Sequence, residues 1–160
     1  MRTMSALRLA ELLLFAACMA PVVATDARER RIPDLWLLLA AAALLGLRLA
    51  AGSLAASQLA GAAAAALLLQ GVRLAFGRRM GLGDVKLAAL IGLLLGFPAC
   101  LVAVFLGAAA GIGFVLLRRA VAGVPAGRSV AFGPFLVSGA VAAFLLLPLL
   151  EWLWRSQIGA

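Results

Sequence analysis

The chain contains no histidine, and its two cysteines, Cys18 and Cys100, stand apart in apolar stretches with no CxxC spacing. The missing histidine excludes Ser-His-Asp and Cys-His catalysis of the usual kind, and together these gaps leave no ligand set for a structural zinc site. The cysteines read as small buried thiols. Acids are scarce too: of 160 residues only six are acidic, namely Glu11, Asp26, Glu29, Asp34, Asp84 and Glu151. Ser- or Pro-rich linkers and internal repeats are also wanting, so residues 1–160 read as a single membrane domain.

What fills the chain instead is hydrocarbon. The sequence is 66% hydrophobic, 12% charged and has a mean hydropathy of +1.17, values far from those of a soluble globular domain. Six apolar blocks run from Leu7 to Thr25, Leu35 to Ala51, Leu54 to Leu69, Val85 to Phe97, Ala99 to Leu117 and Val130 to Trp154. A crossing needs about 20 residues, so six helices use nearly the whole chain. Backbone N–H and C=O groups in lipid must bond internally, and no block alternates lipid-facing with polar residues. The expected fold is therefore all-α, a polytopic membrane protein built as a six-transmembrane-helix bundle.

The formal charge of +8 is distributed as a topology signal. Arg28, Arg30, Arg31, Arg73, Arg78, Arg79, Lys86, Arg118, Arg119 and Arg128 fall in alternate connections, which places ten of the fourteen basic residues on one side. Arg2, Arg8, Arg48 and Arg155 fall on the other. The positive-inside rule then puts connections one, three and five in the cytoplasm and both termini on the extracytoplasmic side. Basic charge here predicts contact with anionic lipid and no nucleic-acid partner. The first block resembles a signal peptide in having Arg2 and Arg8 before an apolar run. Glu11 interrupts that run and its removal would undo the charge alternation, so the block is expected to stay as a helix.

Two acids stand out by position. Asp26 ends the first helix and Asp84 opens the fourth, so both belong near the cytoplasmic face. Counting back about 20 residues from Pro98 puts the start of the fourth helix near Arg78 and Asp84 on the order of 8 Å inside the boundary. The alternative is a half-length helix whose glycine-rich start lines a watery cavity. An ionisable group at such depth is a candidate functional group. Each acid also has a plain structural reading: Asp84 as a helix cap, Asp26 paired with Arg28 or Arg30, and Asp34 as the cap of the second helix. A pair of carboxylates has a more specific use, since one can take a proton from water while the other donates to a carbonyl or leaving amine. No metal or other cofactor is needed.

Gly81-Leu82-Gly83-Asp84-Val85-Lys86-Leu87 resembles the extended motif of the GxGD intramembrane aspartyl proteases, and specifically of the type IV prepilin peptidases. Asp26-Ala27-Arg28-Glu29-Arg30-Arg31-Ile32-Pro33-Asp34 resembles the first motif of that family, and Phe132-Gly133-Pro134-Phe135 a third. The resemblance implies an aspartic endopeptidase with Asp26 and Asp84 as its catalytic pair. It implies a prepilin or pseudopilin precursor as substrate, with a short basic leader cut near the cytoplasmic face, typically after a Gly. Long members carry a cytoplasmic region with paired CxxC motifs and also methylate the new amino terminus. That region has no counterpart here, so the chain is similar to the short peptidases of tight-adherence (Flp) pilus systems, and methyltransferase activity is not expected.

Around the acids, Gly81 and Gly83 would let a substrate backbone or a second helix approach Asp84. Gly92 with Gly96, and Gly107 with Gly111, have the spacing of helix-packing faces. Lys86 could hold Asp84 ionised, but i and i+2 do not face each other on a helix, and snorkelling to the headgroups is the expected role. Pro33 supports the first motif, and Phe132, Gly133 and Pro134 either start the sixth helix or form a substrate wall. Two other function classes use the same residues: a small proton-coupled carrier relaying protons through the acids, and a non-catalytic membrane subunit with capped helices.

Overall fold

The computed structural model describes residues 6–75, 80–122 and 131–158, with side chains as far as Val121 in the second segment and Pro148 in the third. Arg2, Arg78, Arg79 and Arg128, together with the side chains of Glu151 and Arg155, lie outside this description. Among the described residues every regular element is an α-helix: α1 Ala6–Glu29, α2 Asp34–Ala50, α3 Ala56–Ala75, α4 Leu82–Leu95, α5 Ala99–Ala122 and α6 Gly133–Ile158. Three spans among the described residues, Ala6–Glu29, Ala56–Ala75 and Ala99–Val121, are long and apolar enough to cross a membrane, and α6 carries a shorter apolar stretch, Gly133–Pro148. Leu38, Leu67, Phe105 and Val121 are each roughly 70% or more exposed on the outside of the bundle (69, 72, 71 and 78%), a surface suited to hydrocarbon.

The helix α4 departs most from the sequence expectation. It has 14 residues rather than a full crossing, about 21 Å of helix. Its start is set by Gly81, an extended N-cap residue at φ −68° and ψ 149°, and its end by Gly96 at φ 75°, a left-handed conformation that favours glycine. Gly96 therefore stops the helix two residues before Pro98. The half-length helix is thus the form found, with Gly81 extended at its start and Asp84 inside regular helix.

A short helix that is apolar all round must be surrounded. Packed against α2, α3, α5 and α6, α4 buries Leu87, Ala88, Leu90, Ile91, Gly92, Leu93 and Leu94. The rest of the core includes Phe15, Met19 and Val22 of α1, Leu44 of α2, Leu69 of α3, Val104 of α5, and Leu136 of α6. Cys100 belongs to this core as expected, whereas Cys18 is only half-buried.

Glycines set the two closest crossings. Where α3 meets α4, a Cβ on Gly61 would stand 2.6 Å from the Gly96 carbonyl carbon, and one on Gly92 would fall on the Gly61 backbone. Where α5 meets α6, a Cβ on Gly107 would stand 2.8 Å from the Phe135 carbonyl oxygen, and one on Gly139 2.6 Å from the Gly107 nitrogen. Gly92 and Gly107 thus serve as packing glycines, with Gly61 and Gly139 as unforeseen partners. Gly96 acts as the C-cap of α4, and Gly111 makes only ordinary contacts with the Phe132 and Phe135 rings.

Candidate active site

Asp26 lies in the last turn of α1 and is 5% exposed. A carboxylate there opposes the negative end of the α1 dipole. The opposition is offset from across the bundle: the backbone N–H of Gly133, first residue of α6, donates to Asp26 Oδ2 at 2.9 Å. Asp26 thus faces the positive end of α6, whose unpaired N–H groups suit an anion. A Cβ on Gly133 would come within 2.6 Å of that same oxygen, so any other residue there has to push the carboxylate aside. Replacing Gly133 by Ala should displace the carboxylate by about an ångström and lower any reaction that depends on it by roughly 10²-fold. The check is a rate measurement beside a thermal unfolding curve, with the fold retained.

The rest of the third motif explains why α6 begins there. The Phe132 carbonyl accepts from the N–H groups of Phe135 and Leu136, both at 3.1 Å. Pro134, in the first turn, lacks an N–H where a helix needs none. Phe135 stacks against Phe114 of α5 with ring centroids 5.4 Å apart, and the Arg118 guanidinium lies 5.8 Å from the Phe114 ring centre. The motif both starts α6 and supplies the donor to Asp26.

Asp84 is the third residue of α4 and is partly exposed. Its carboxylate turns back toward the Gly81 backbone N–H, the reach of a residue that satisfies a helix start from inside. The capping expected of Asp84 is present in this modified form, with Gly81 rather than Asp84 as the N-cap. Upstream, Arg73 Nε of α3 donates to the Met80 carbonyl at 3.1 Å and fixes the approach to α4. Asp26 and Asp84, 58 residues apart in the chain, lie close enough for their charges to interact.

Two expectations around this pair change. A Cβ on Gly83 would stand 2.7 Å from the Ile32 Cβ, so the space left by Gly83 is filled by Ile32 of the first motif. Of the two glycines, Gly81 is the one with room beside it, its nearest neighbours being Asp84 and Gly83. Lys86 does not simply snorkel: its Nζ pairs with Asp34 Oδ2 at 2.7 Å, joining α4 to α2. Asp34 is accordingly the first residue of α2 and not its cap, the N-cap being Pro33. Both partners are well exposed, so Lys86→Met should change unfolding stability by no more than about 1 kcal/mol. A larger loss in a denaturation curve would mean that the pair is structural.

Residues 13–116 match the type IV leader peptidase family. The chain belongs to that family. No curated protein and no solved structure matches it. The match includes the Asp26 and Asp84 motifs and ends before Phe132, so the α6 donor to Asp26 lies outside the matched residues. Membership implies a leader peptidase, an enzyme acting on pilin-type precursors in the membrane.

Sequence reasoning passed over two features of this leader peptidase. The Gly133 donor has no signature in residue identity, because any non-proline residue carries an N–H; only the glycine hinted at a close approach. Glu11 and Arg48 were noted only as an interruption and a topology charge. They form a buried ion pair, Arg48 Nε to Glu11 Oε1 at 2.7 Å, and two ionisable residues inside apolar helices were a signal that could have linked them.

Proposed function

We propose that the protein is an aspartic endopeptidase of the inner membrane in which Asp26 and Asp84 share the acid and base roles. The observation that carries this reading is their juxtaposition: each comes from a separate motif, and the two lie within range of one another's charge. One carboxylate, ionised, takes a proton from a water that attacks the scissile carbonyl. The other, protonated, donates to that carbonyl oxygen, giving a gem-diol; the first then passes the proton it took from water to the departing amine while the second takes one back from a gem-diol hydroxyl, which restores the starting pair. Gly133 orients Asp26, and Gly81 leaves space beside Asp84 for an extended substrate backbone.

The substrate in this reading is an Flp-type prepilin or pseudopilin, cut near the cytoplasmic face and typically after a Gly, with no second, methylating activity. Six membrane passes with both termini outside agree with the basic residues Arg28, Arg73 and Arg119 in the last turns of α1, α3 and α5. The proton-coupled carrier and the non-catalytic subunit gain no support from family membership.

The test is purified protein in detergent, incubated with a prepilin bearing a short basic leader, with the product mass identifying the cut bond. Processing that persists when both Asp26 and Asp84 are replaced by Asn would sink the mechanism. Cysteine labelling of the connections at Arg28 and Arg78 from each side of the membrane tests the topology, and labelling of both from outside would place the site on the wrong face.

A further inference from the structure

At the end of the bundle remote from the two aspartates, α1 and α2 carry Glu11 and Arg48, 4% and 5% exposed. Glu11 precedes Asp26 by fifteen residues along α1, about 22 Å of helix, so these are separate polar centres. Arg48 Nε donates to Glu11 Oε1 at 2.7 Å, and the two charges cancel. Arg48 Nη2 donates to the Leu94 carbonyl at 2.8 Å, in the last turn of α4. The third nitrogen, Nη1, is buried with no hydrogen-bond partner among the described residues. A guanidinium N–H left unmatched out of solvent is costly, and such a group calls for an acceptor.

Arg48 lines a half-open cavity of about 290 Å³. Gln58 of α3 lines it too; its Oε1 already accepts from the Ala55 N–H, which leaves its amide NH₂ group to donate. Arg8, a third polar lining residue, is engaged by a partner of its own. With Glu11 and Arg48 neutralising each other, the cavity lacks acceptors rather than negative charge. Most of the remaining lining is apolar and includes Leu95, Phe144 and Leu147. An uncharged group that offers acceptor oxygens and is joined to hydrocarbon meets both demands. Water would satisfy the donors and leave the apolar lining wet, while a free anion would bring in a charge with nothing to offset it.

We infer that this cavity binds the ester-linked glycerol region of a membrane lipid, with an acyl ester carbonyl as the acceptor for Arg48 and Gln58. An ester carbonyl carries no charge, accepts hydrogen bonds and is attached directly to an acyl chain. The depth of the cavity agrees with that chemistry. Arg48 lies in the last turn of α2, and Ser53, in the connection to α3, also lines the cavity. A membrane helix ends where hydrocarbon gives way to the interfacial region, which is the level at which a glycerolipid carries its esters. Leu49 and Leu59, exposed on either side of the connection, give the acyl chains apolar surface to lie on. What is recognised is thus the linkage and not the headgroup. This inference does not depend on the proteolytic reading.

The experiment uses the full chain, stripped of lipid in a detergent without ester groups. It compares a diacylglycerol with the chain-matched dialkylglycerol, whose ether links lack the carbonyl oxygens, by native mass spectrometry and thermal unfolding. The diester should give a one-to-one adduct, raise the unfolding temperature and bind about tenfold or more tightly than the diether, or roughly 1.4 kcal/mol. The stretching band of its isotope-labelled ester carbonyl should move to lower frequency on binding, the mark of an accepted hydrogen bond. Arg48→Lys, which keeps a charge for Glu11 and loses the planar fork of donors, should bring the affinity ratio of diester to diether toward one. Gln58→Leu, which leaves the buried ion pair alone, should do the same and decides the matter if Arg48→Lys fails to fold. Equal binding of diester and diether by the wild type would mean hydrocarbon contact alone and would overturn the site. An unmoved carbonyl band, or a wild-type ratio in the folded variants, would overturn it as well.

Discussion

Asparagine in place of either Asp26 or Asp84 is expected to lower leader removal by about 10²- to 10⁴-fold, the range for loss of a positioned acid or base. Asn has nearly the shape of Asp, and at position 26 its amide oxygen can still accept from the Gly133 N–H, so the bundle should survive. What Asn cannot do is take up and release a proton at the reacting bond. The double variant should be scarcely slower than the worse single one, because a pair that acts as a unit is already disabled by one loss. Initial rates on a prepilin substrate, measured beside unfolding temperatures, separate chemistry from collapse. Near wild-type turnover by a folded Asp84→Asn protein would remove that carboxylate from the reaction.

The second large effect concerns packing. Gly92→Leu should destabilise the protein by about 3 kcal/mol or more, the upper end for overfilling a packed site. The reason is that the new Cβ meets backbone on the facing helix, the carbonyl group of Gly61 and the Ala62 nitrogen, and backbone cannot rotate away as a side chain can. The helices α3 and α4 would have to part along their whole contact, which also moves Asp84 relative to Asp26. Gly46, Gly71 and Gly113 serve as controls, since a Cβ at any of them meets nothing within 4 Å. Alanine at Gly46, inside α2, should instead gain about 0.5–1 kcal/mol from backbone entropy. Unfolding in mixed detergent reads both, and an unchanged curve for Gly92→Leu would refute the crossing.

The long apolar helices α1, α3 and α5 were legible in the sequence because length and hydropathy alone decide them. The limits of α4 were not, since Gly81, Gly83 and Gly96 can each lie in or out of a helix until neighbours choose. The two candidate acids were legible from their motifs, but the partners around them were not. Lys86 meets Asp34 only because α2 and α4 run side by side, and Gly133 meets Asp26 across 107 residues of chain. Periodicity reports which face of a helix is apolar and is silent on which helix will cover it. The pairing of Glu11 with Arg48 was within reach of the reasoning that favours partners for buried charges, though nothing in either helix named the other.

Ile32 resting on Gly83 ties together the stretches that carry Asp26 and Asp84. The two positions share one fixed volume, and evolution must treat them as one locus. A methyl gained at 83 demands room surrendered at 32, whereas a smaller side chain at 32 relaxes the constraint on 83. Drift among descendants of this chain should therefore pass through 32 first, leaving paired changes at these sites as the historical trace of a contact between segments that no local pattern connects.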